Sequence, residues 1–147
     1  MDWILELPEQ IYFIEVKDPQ GPRDKDLEDP GTKKREQNSK YFLESFLADK
    51  LNPDLVAKFR DSFLYEWACE RVDKPISYFV IFAWQDLDRA QLLTRSDTLK
   101  RRLPTGTPAG WSRPIAHDCI VFNIAAWNKA FPQYPLSRHS AAGRQAS

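Results

Sequence analysis

The fold is decided by the stretch Ile11-Tyr12-Phe13-Ile14-Glu15-Val16-Lys17-Asp18-Pro19, an apolar strand with two charges in alternate positions. Side chains on a strand alternate between its two faces, so Glu15 and Lys17 project from the same face as Phe13. A charge on an apolar sheet face is costly unless it is exposed, paired or liganded. The pair therefore indicates an exposed strand end, an ion pair or a ligand site, and we expect both side chains to project into a solvent-accessible site.

A second apolar strand precedes this stretch and predicts an antiparallel hairpin. Residues 3–7 form that strand, and Glu9-Gln10 are the two predicted loop residues. In this register Asp2 pairs with Lys17, which places Asp2, Glu15 and Lys17 on one face. A three-residue loop would instead send Asp2 to the opposite face.

Asp2, Glu15 and Lys17 resemble the motif of the PD-(D/E)XK nuclease superfamily, in which an acid on one strand is followed by an acid-x-Lys triplet on the next. The resemblance implies a restriction-endonuclease-like fold that hydrolyses phosphodiesters in nucleic acid. It implies that Asp2 and Glu15 bind Mg²⁺ or Mn²⁺ and that Lys17 positions or activates the attacking water. Carboxylates suit such a cation, which stabilises charge on the phosphodiester and lowers the pKa of a bound water. A nearby ammonium adds electrostatic stabilisation.

The chain departs from the family pattern at its start. Met1 stands before Asp2 where the family has Pro, and no helix precedes the hairpin. We therefore expect either a core reduced at its N-terminus or a fragment of a longer chain. Homo-oligomerisation, or an additional chain that supplies the missing elements, would complete such a core.

The rest of the chain predicts an α/β fold with a mixed central sheet flanked by helices. The predicted elements are helices from Lys33, from Pro53 and over 89–103, and a buried strand over 76–84. Residues 119–127 are predicted to form either another buried strand or a strand that leads into a short turn. The first helix is expected to turn Tyr41, Phe42 and Phe46 toward the sheet. Residues 1–139 are predicted to form a single nuclease-like domain, and 140–147 a disordered polar tail.

Composition bounds the class of protein. The chain has 147 residues, a net charge of zero and two cysteines without CxxC spacing. The balanced charge argues against tight non-specific binding to nucleic acid. Reduced thiols, the lack of a signal sequence and the lack of a long apolar run predict a cytoplasmic protein outside the membrane.

A basic cluster follows the motif strand. Lys33, Lys34, Arg35 and Lys40 crowd the start of the first predicted helix, where phosphate contact and an ordinary solvated face both explain them. The resemblance adds Gln37 and Lys40 as side chains that point back at the site. The expected partner is nucleic acid, with DNA as the expected form.

Two other interpretations stay open. Glu15 and Lys17 form a plain surface ion pair if the protein is a noncatalytic nuclease-fold or protein-interaction domain. Paired carboxylates also serve glycoside hydrolysis, but only Asp2, Glu6 and Glu15 support that chemistry here. The position of Glu6 distinguishes the nuclease from the noncatalytic domain. A Glu6 side chain near Asp2 and Glu15 strengthens a cation site, whereas a salt bridge from Glu6 to a distant lysine favours the structural interpretation.

Overall fold

Four strands form one sheet in the order β1-β2-β3-β4 in the computed structural model, which describes residues 1–19, 32–103 and 105–138. The elements in chain order are β1 (Trp3–Glu6), β2 (Ile11–Lys17), α1 (Thr32–Leu47), α2 (Asn52–Ala68), β3 (Ile76–Phe82), α3 (Arg89–Arg102), β4 (Asp118–Asn123) and α4 (Ile124–Ala130). The predicted α/β class with a mixed, helix-flanked sheet is confirmed. The restriction-endonuclease-like core stays a prediction.

The strands β2, β3 and β4 are parallel, and β1 is an antiparallel strand at the edge of the sheet. Lys17 pairs with Phe82, which pairs in turn with Asn123, so the three parallel strands end together at one side of the sheet. The sequence of β3 is almost wholly apolar because all seven of its residues are buried. The motif strand therefore lies inside the sheet, with its charged residues near the carboxyl ends.

Two cores flank the sheet. Helices α1, α2 and α3 cover the face that carries Phe13, where the ring of Phe59 lies 5.6 Å from the ring of Phe13 and 5.1 Å from that of Tyr78. Helix α4 and the segment after it cover the opposite face through Trp127 and Phe131. The charged residues of the motif strand share the face of the larger core.

The hairpin register differs from the prediction by two residues. Trp3 pairs with Ile14, and the Leu7 N–H donates to the Gln10 carbonyl at 2.9 Å, so the loop is Pro8-Glu9 rather than Glu9-Gln10. Proline has no N–H for the strand ladder, which explains why it falls in the loop. Continuing the register by one residue puts Asp2 opposite Glu15 instead of Lys17. A shift of two residues preserves the face, so the predicted side for Asp2 survives.

Two local elements differ from the sequence prediction. Residues 119–127 form neither a full strand nor a strand with a short turn: the strand ends at Asn123, whose side chain accepts a hydrogen bond from the Ala126 N–H at 2.7 Å and so caps helix α4. Tyr41 is exposed, whereas Phe42 and Phe46 pack into the core. The tail predicted over 140–147 lies outside the described residues. None of the described helices is long and apolar enough to cross a bilayer.

Candidate functional site

Glu15 is a fully buried carboxylate with two ammonium groups on one oxygen. Its Oε1 accepts hydrogen bonds from Lys17 Nζ at 2.7 Å and from Lys58 Nζ at 2.5 Å. The Lys17 side chain is 28% exposed and that of Lys58 is 43% exposed, so both lysines connect the buried acid to solvent. Glu15 itself does not project into solvent, contrary to the expectation from the sequence, because α2 packs over its strand.

These contacts set the charge of the cluster. Burial opposes ionisation of Glu15, but the hydrogen bonds from Lys17 and Lys58 outweigh it and hold the pKa of this carboxyl below its ordinary value. The hydrogen bond to Glu15 raises the pKa of Lys58, and the charge of Asp2 acts in the same direction. At neutral pH the site therefore contains an ionised Glu15 and a charged Lys58 ammonium.

Lys58 is a site residue that sequence reasoning missed. It comes from α2, which begins with Pro53 in its first turn and buries a stripe that includes Leu55 and Phe59 against the sheet. Lys58 flanks this stripe, so its long side chain reaches Glu15 at the helix–sheet boundary. The sequence signal is a lysine beside the buried stripe of a helix, which indicates a side chain at the helix–sheet boundary but does not identify its partner.

Asp2 lies beside the cluster, and one of its oxygens is already engaged. Its Oδ2 accepts a hydrogen bond from the Val16 N–H at 2.7 Å, while its own N–H donates to the Ile14 carbonyl at 3.1 Å. These two bonds hold the exposed start of β1 against β2. They hold Asp2 next to the strand that carries Glu15 and Lys17, although one carboxylate oxygen of Asp2 is already hydrogen-bonded to the backbone.

The donor set suits a cation that is only partly held by protein. Glu15 Oε2 is buried and has no hydrogen-bond donor among the described residues, with the Met1 amino group 3.9 Å away. Over the same part of the chain no three His, Cys, Asp or Glu side chains form a metal-binding group. Magnesium is commonly held by one or two carboxylates, with waters and substrate phosphates completing its coordination. Asp2 and Glu15 are the two carboxylates at the cluster that would serve such a cation.

Glu6 forms a salt bridge with a lysine that is distant in sequence. Its Oε1 accepts a hydrogen bond from Lys74 Nζ at 2.5 Å, which ties the hairpin to the segment before β3. Its exposed salt bridge raises the pKa of Lys74 through this hydrogen bond. Glu6 therefore makes the distant salt bridge that favours the structural interpretation of the motif over a cation site.

The predicted substrate-binding residues lie on α1. Gln37 and Lys40 are exposed, and within the described residues Glu15 takes its hydrogen bonds from Lys17 and Lys58 instead. The backbone of residues 33–35 belongs to α1, whereas the side chains of Lys33, Lys34 and Arg35 lie outside the described part. Their contact with nucleic acid stays a prediction.

Comparisons with known proteins add nothing to this description of the site. No family model, no curated protein and no solved structure matches this chain.

Proposed function

We propose that the protein is a metal-dependent nuclease that hydrolyses phosphodiester bonds in nucleic acid, with DNA as the expected substrate. One observation carries the proposal: a fully buried, ionised Glu15 holds two ammonium groups on Oε1 and leaves Oε2 without a donor among the described residues. A buried carboxylate with one unsatisfied oxygen is costly for folding alone. A cation at Oε2, shared with Asp2, would compensate this oxygen more closely than the Met1 amino group, which lies 3.9 Å away.

The roles of the residues follow from their charges. Asp2 and Glu15 would hold the cation, which supplies charge stabilisation at the phosphate and a more acidic bound water. Hydrolysis adds a water oxygen to phosphorus and breaks one P–O ester bond. The attacking water gives up a proton to solvent, and the departing oxygen takes a proton from solvent. Lys58 is charged and already donates to Glu15, so it stabilises negative charge and does not take the proton of the attacking water. Lys17 is the other ammonium group of the cluster, and its partly exposed side chain would contact the phosphate.

The test is cleavage of end-labelled single-stranded and duplex DNA and RNA with Mg²⁺ or Mn²⁺. We expect Lys17→Ala to lower the cleavage rate by about 10²–10³-fold, the range found when one electrostatic donor is removed from an active site. Glu15→Gln keeps the side-chain volume and removes the charge, so we expect it to abolish the cleavage that requires Mg²⁺ or Mn²⁺. Lys129→Ala is the matched control, because Lys129 is an exposed lysine on α4 at the opposite face of the sheet.

Thermal unfolding of each variant separates chemistry from folding. A wild-type protein that cleaves none of these substrates with either metal refutes the proposal. So does a loss of cleavage in Lys17→Ala that is matched by an equal loss of folded protein.

A noncatalytic domain is the second candidate, and the salt bridge between Glu6 and Lys74 favours it. In that case the Glu15 cluster is a structural ion group that joins α2 to the sheet. Mg²⁺ then leaves the thermal transition of the wild type unchanged, whereas a bound cation raises it in a concentration-dependent way.

A further inference from the structure

Helix α2 carries a second feature on the side that holds Lys58. Ser62 and Tyr65 follow Lys58 by four and seven residues, so the helical repeat places all three along one side of α2. The rise of the helix separates Tyr65 from Lys58 by about 10 Å.

The Tyr65 ring is exposed yet fixed in place. Its side chain is 64% exposed, and the guanidinium of Arg71 lies 5.5 Å from the ring centroid. Arg71 is itself anchored, because its Nε and Nη2 donate to the two oxygens of Glu66 at 2.6 and 2.8 Å. One face of the ring is therefore supported by a cation held in a bidentate ion pair, while much of the ring stays open to solvent.

We propose that Tyr65 is a stacking platform for an unpaired base of the nucleic acid whose phosphate lies at the Glu15 cluster. The inference rests on the proposed nuclease function and narrows its substrate class to single strands or duplexes with a single-stranded segment. A base inside a duplex is already covered on both faces by its neighbours, whereas an unpaired base has a free face for an aromatic side chain. At about 3.4 Å per stacked nucleotide, Tyr65 lies within about three nucleotides of the phosphate.

Cations flank the Tyr65 platform on this side of α2. The stripe begins at the Lys58 ammonium group and ends at a ring backed by Arg71, and the acid Asp61 lies on the same side, three residues after Lys58 and four before Tyr65. A cation beside an aromatic platform is the combination that binds a phosphate backbone and its bases together.

The experiment measures binding by the fluorescence anisotropy of a labelled oligothymidylate and of a duplex of the same length, with Ca²⁺ in place of Mg²⁺. We expect Tyr65→Ala to weaken binding of the single strand about tenfold and to change duplex binding less than twofold, since stacking on an aromatic side chain is lost only where a base is unpaired. Tyr65→Phe keeps the ring and is expected to bind like the wild type. Trp67→Ala is the matched control, because Trp67 is 58% exposed on the opposite side of α2.

The outcomes separate this inference from the proposed function. Tyr65-dependent binding of the single strand without metal-dependent cleavage refutes the nuclease and keeps the stacking site. Cleavage with single-strand binding that is unaffected by Tyr65→Ala refutes the stacking site and keeps the nuclease. The stacking site is also refuted if the single strand does not bind, if Trp67→Ala weakens it as much as Tyr65→Ala, or if Tyr65→Phe behaves like Tyr65→Ala.

Discussion

Replacement of Lys58 by methionine tests whether the ion cluster ties α2 to the sheet. Methionine keeps an unbranched apolar stem of similar length and removes the ammonium group that donates to Glu15 at 2.5 Å. Removing one partner of a buried ion pair costs about 3–5 kcal/mol. Lys58 is 43% exposed, so water screens its charge, and Lys17 remains on the same oxygen. We therefore expect a loss of about 1–2 kcal/mol in the free energy of unfolding.

In a chain of this length the loss corresponds to a fall of about 3–6 °C in the midpoint of thermal unfolding. Its pH dependence follows from Glu15, whose folded-state pKa is held below the ordinary value of 4.5. A carboxyl with a lowered pKa stabilises the fold above its unfolded pKa, and this stabilisation is lost as the pH falls through the folded pKa. In Lys58→Met the pKa of Glu15 rises, because one of the hydrogen bonds that lower it is gone. The difference between the two proteins is thus greatest near neutral pH and narrows as Glu15 becomes protonated.

Urea unfolding followed by circular dichroism, repeated from neutral pH down to below pH 4.5, measures this difference. Lys40→Met is the control, since Lys40 is exposed on α1 and makes no ion pair within the described residues. Equal losses in the two variants would show that the ammonium group of Lys58 does not stabilise the fold. A loss in Lys58→Met that stays constant with pH would show that it does not act through Glu15.

Three further predictions concern other parts of the molecule. Ser96→Ala should cost about 1–3 kcal/mol in urea unfolding, because it leaves the buried Val121 N–H without the Ser96 hydroxyl that accepts from it at 2.8 Å; an unchanged midpoint would contradict this. Asp88→Ala should cost about 1 kcal/mol, because it removes the capping box of α3, whereas Asp86→Ala, outside the cap, should cost much less. Replacing Lys33, Lys34 and Arg35 together with Ala should flatten the slope of log binding constant against log salt concentration for duplex DNA by up to about three units. An unaltered slope would exclude phosphate contact by this basic cluster.

The sheet was predictable from sequence because its signals are local. The apolar run of β3 and the alternation along β2 each fix a strand without reference to the rest of the chain. The run after Cys119 was ambiguous, because a continuous apolar segment has no period that separates a strand from a buried helix. There Asn123 followed by Ala125-Ala126 was the overlooked sign of a helix start.

The site was predictable only where its residues are close in sequence. Glu15 and Lys17 lie on one strand. Asp2 lies across the hairpin, and its predicted side of the sheet is unchanged although the predicted register was off by two residues. Lys58 is 43 residues from Glu15, and its contact depends on how α2 crosses the sheet. No local sequence pattern shows where α2 crosses the sheet. The burial of Glu15 escaped prediction for the same reason, because it depends on the helix and not on the strand.

The pairing of β2 has a consequence for how the chain folds during synthesis. Its hairpin partner β1 is adjacent in sequence, but its parallel partner β3 begins at Ile76, after α1 and α2. Contacts between residues so far apart form slowly, because a long loop must close first. Until β3 leaves the ribosome, the nascent hairpin exposes one unpaired edge of the apolar strand β2. That edge is open to strand pairing with other nascent chains, so chaperone binding at this stage would protect the growing polypeptide from aggregation.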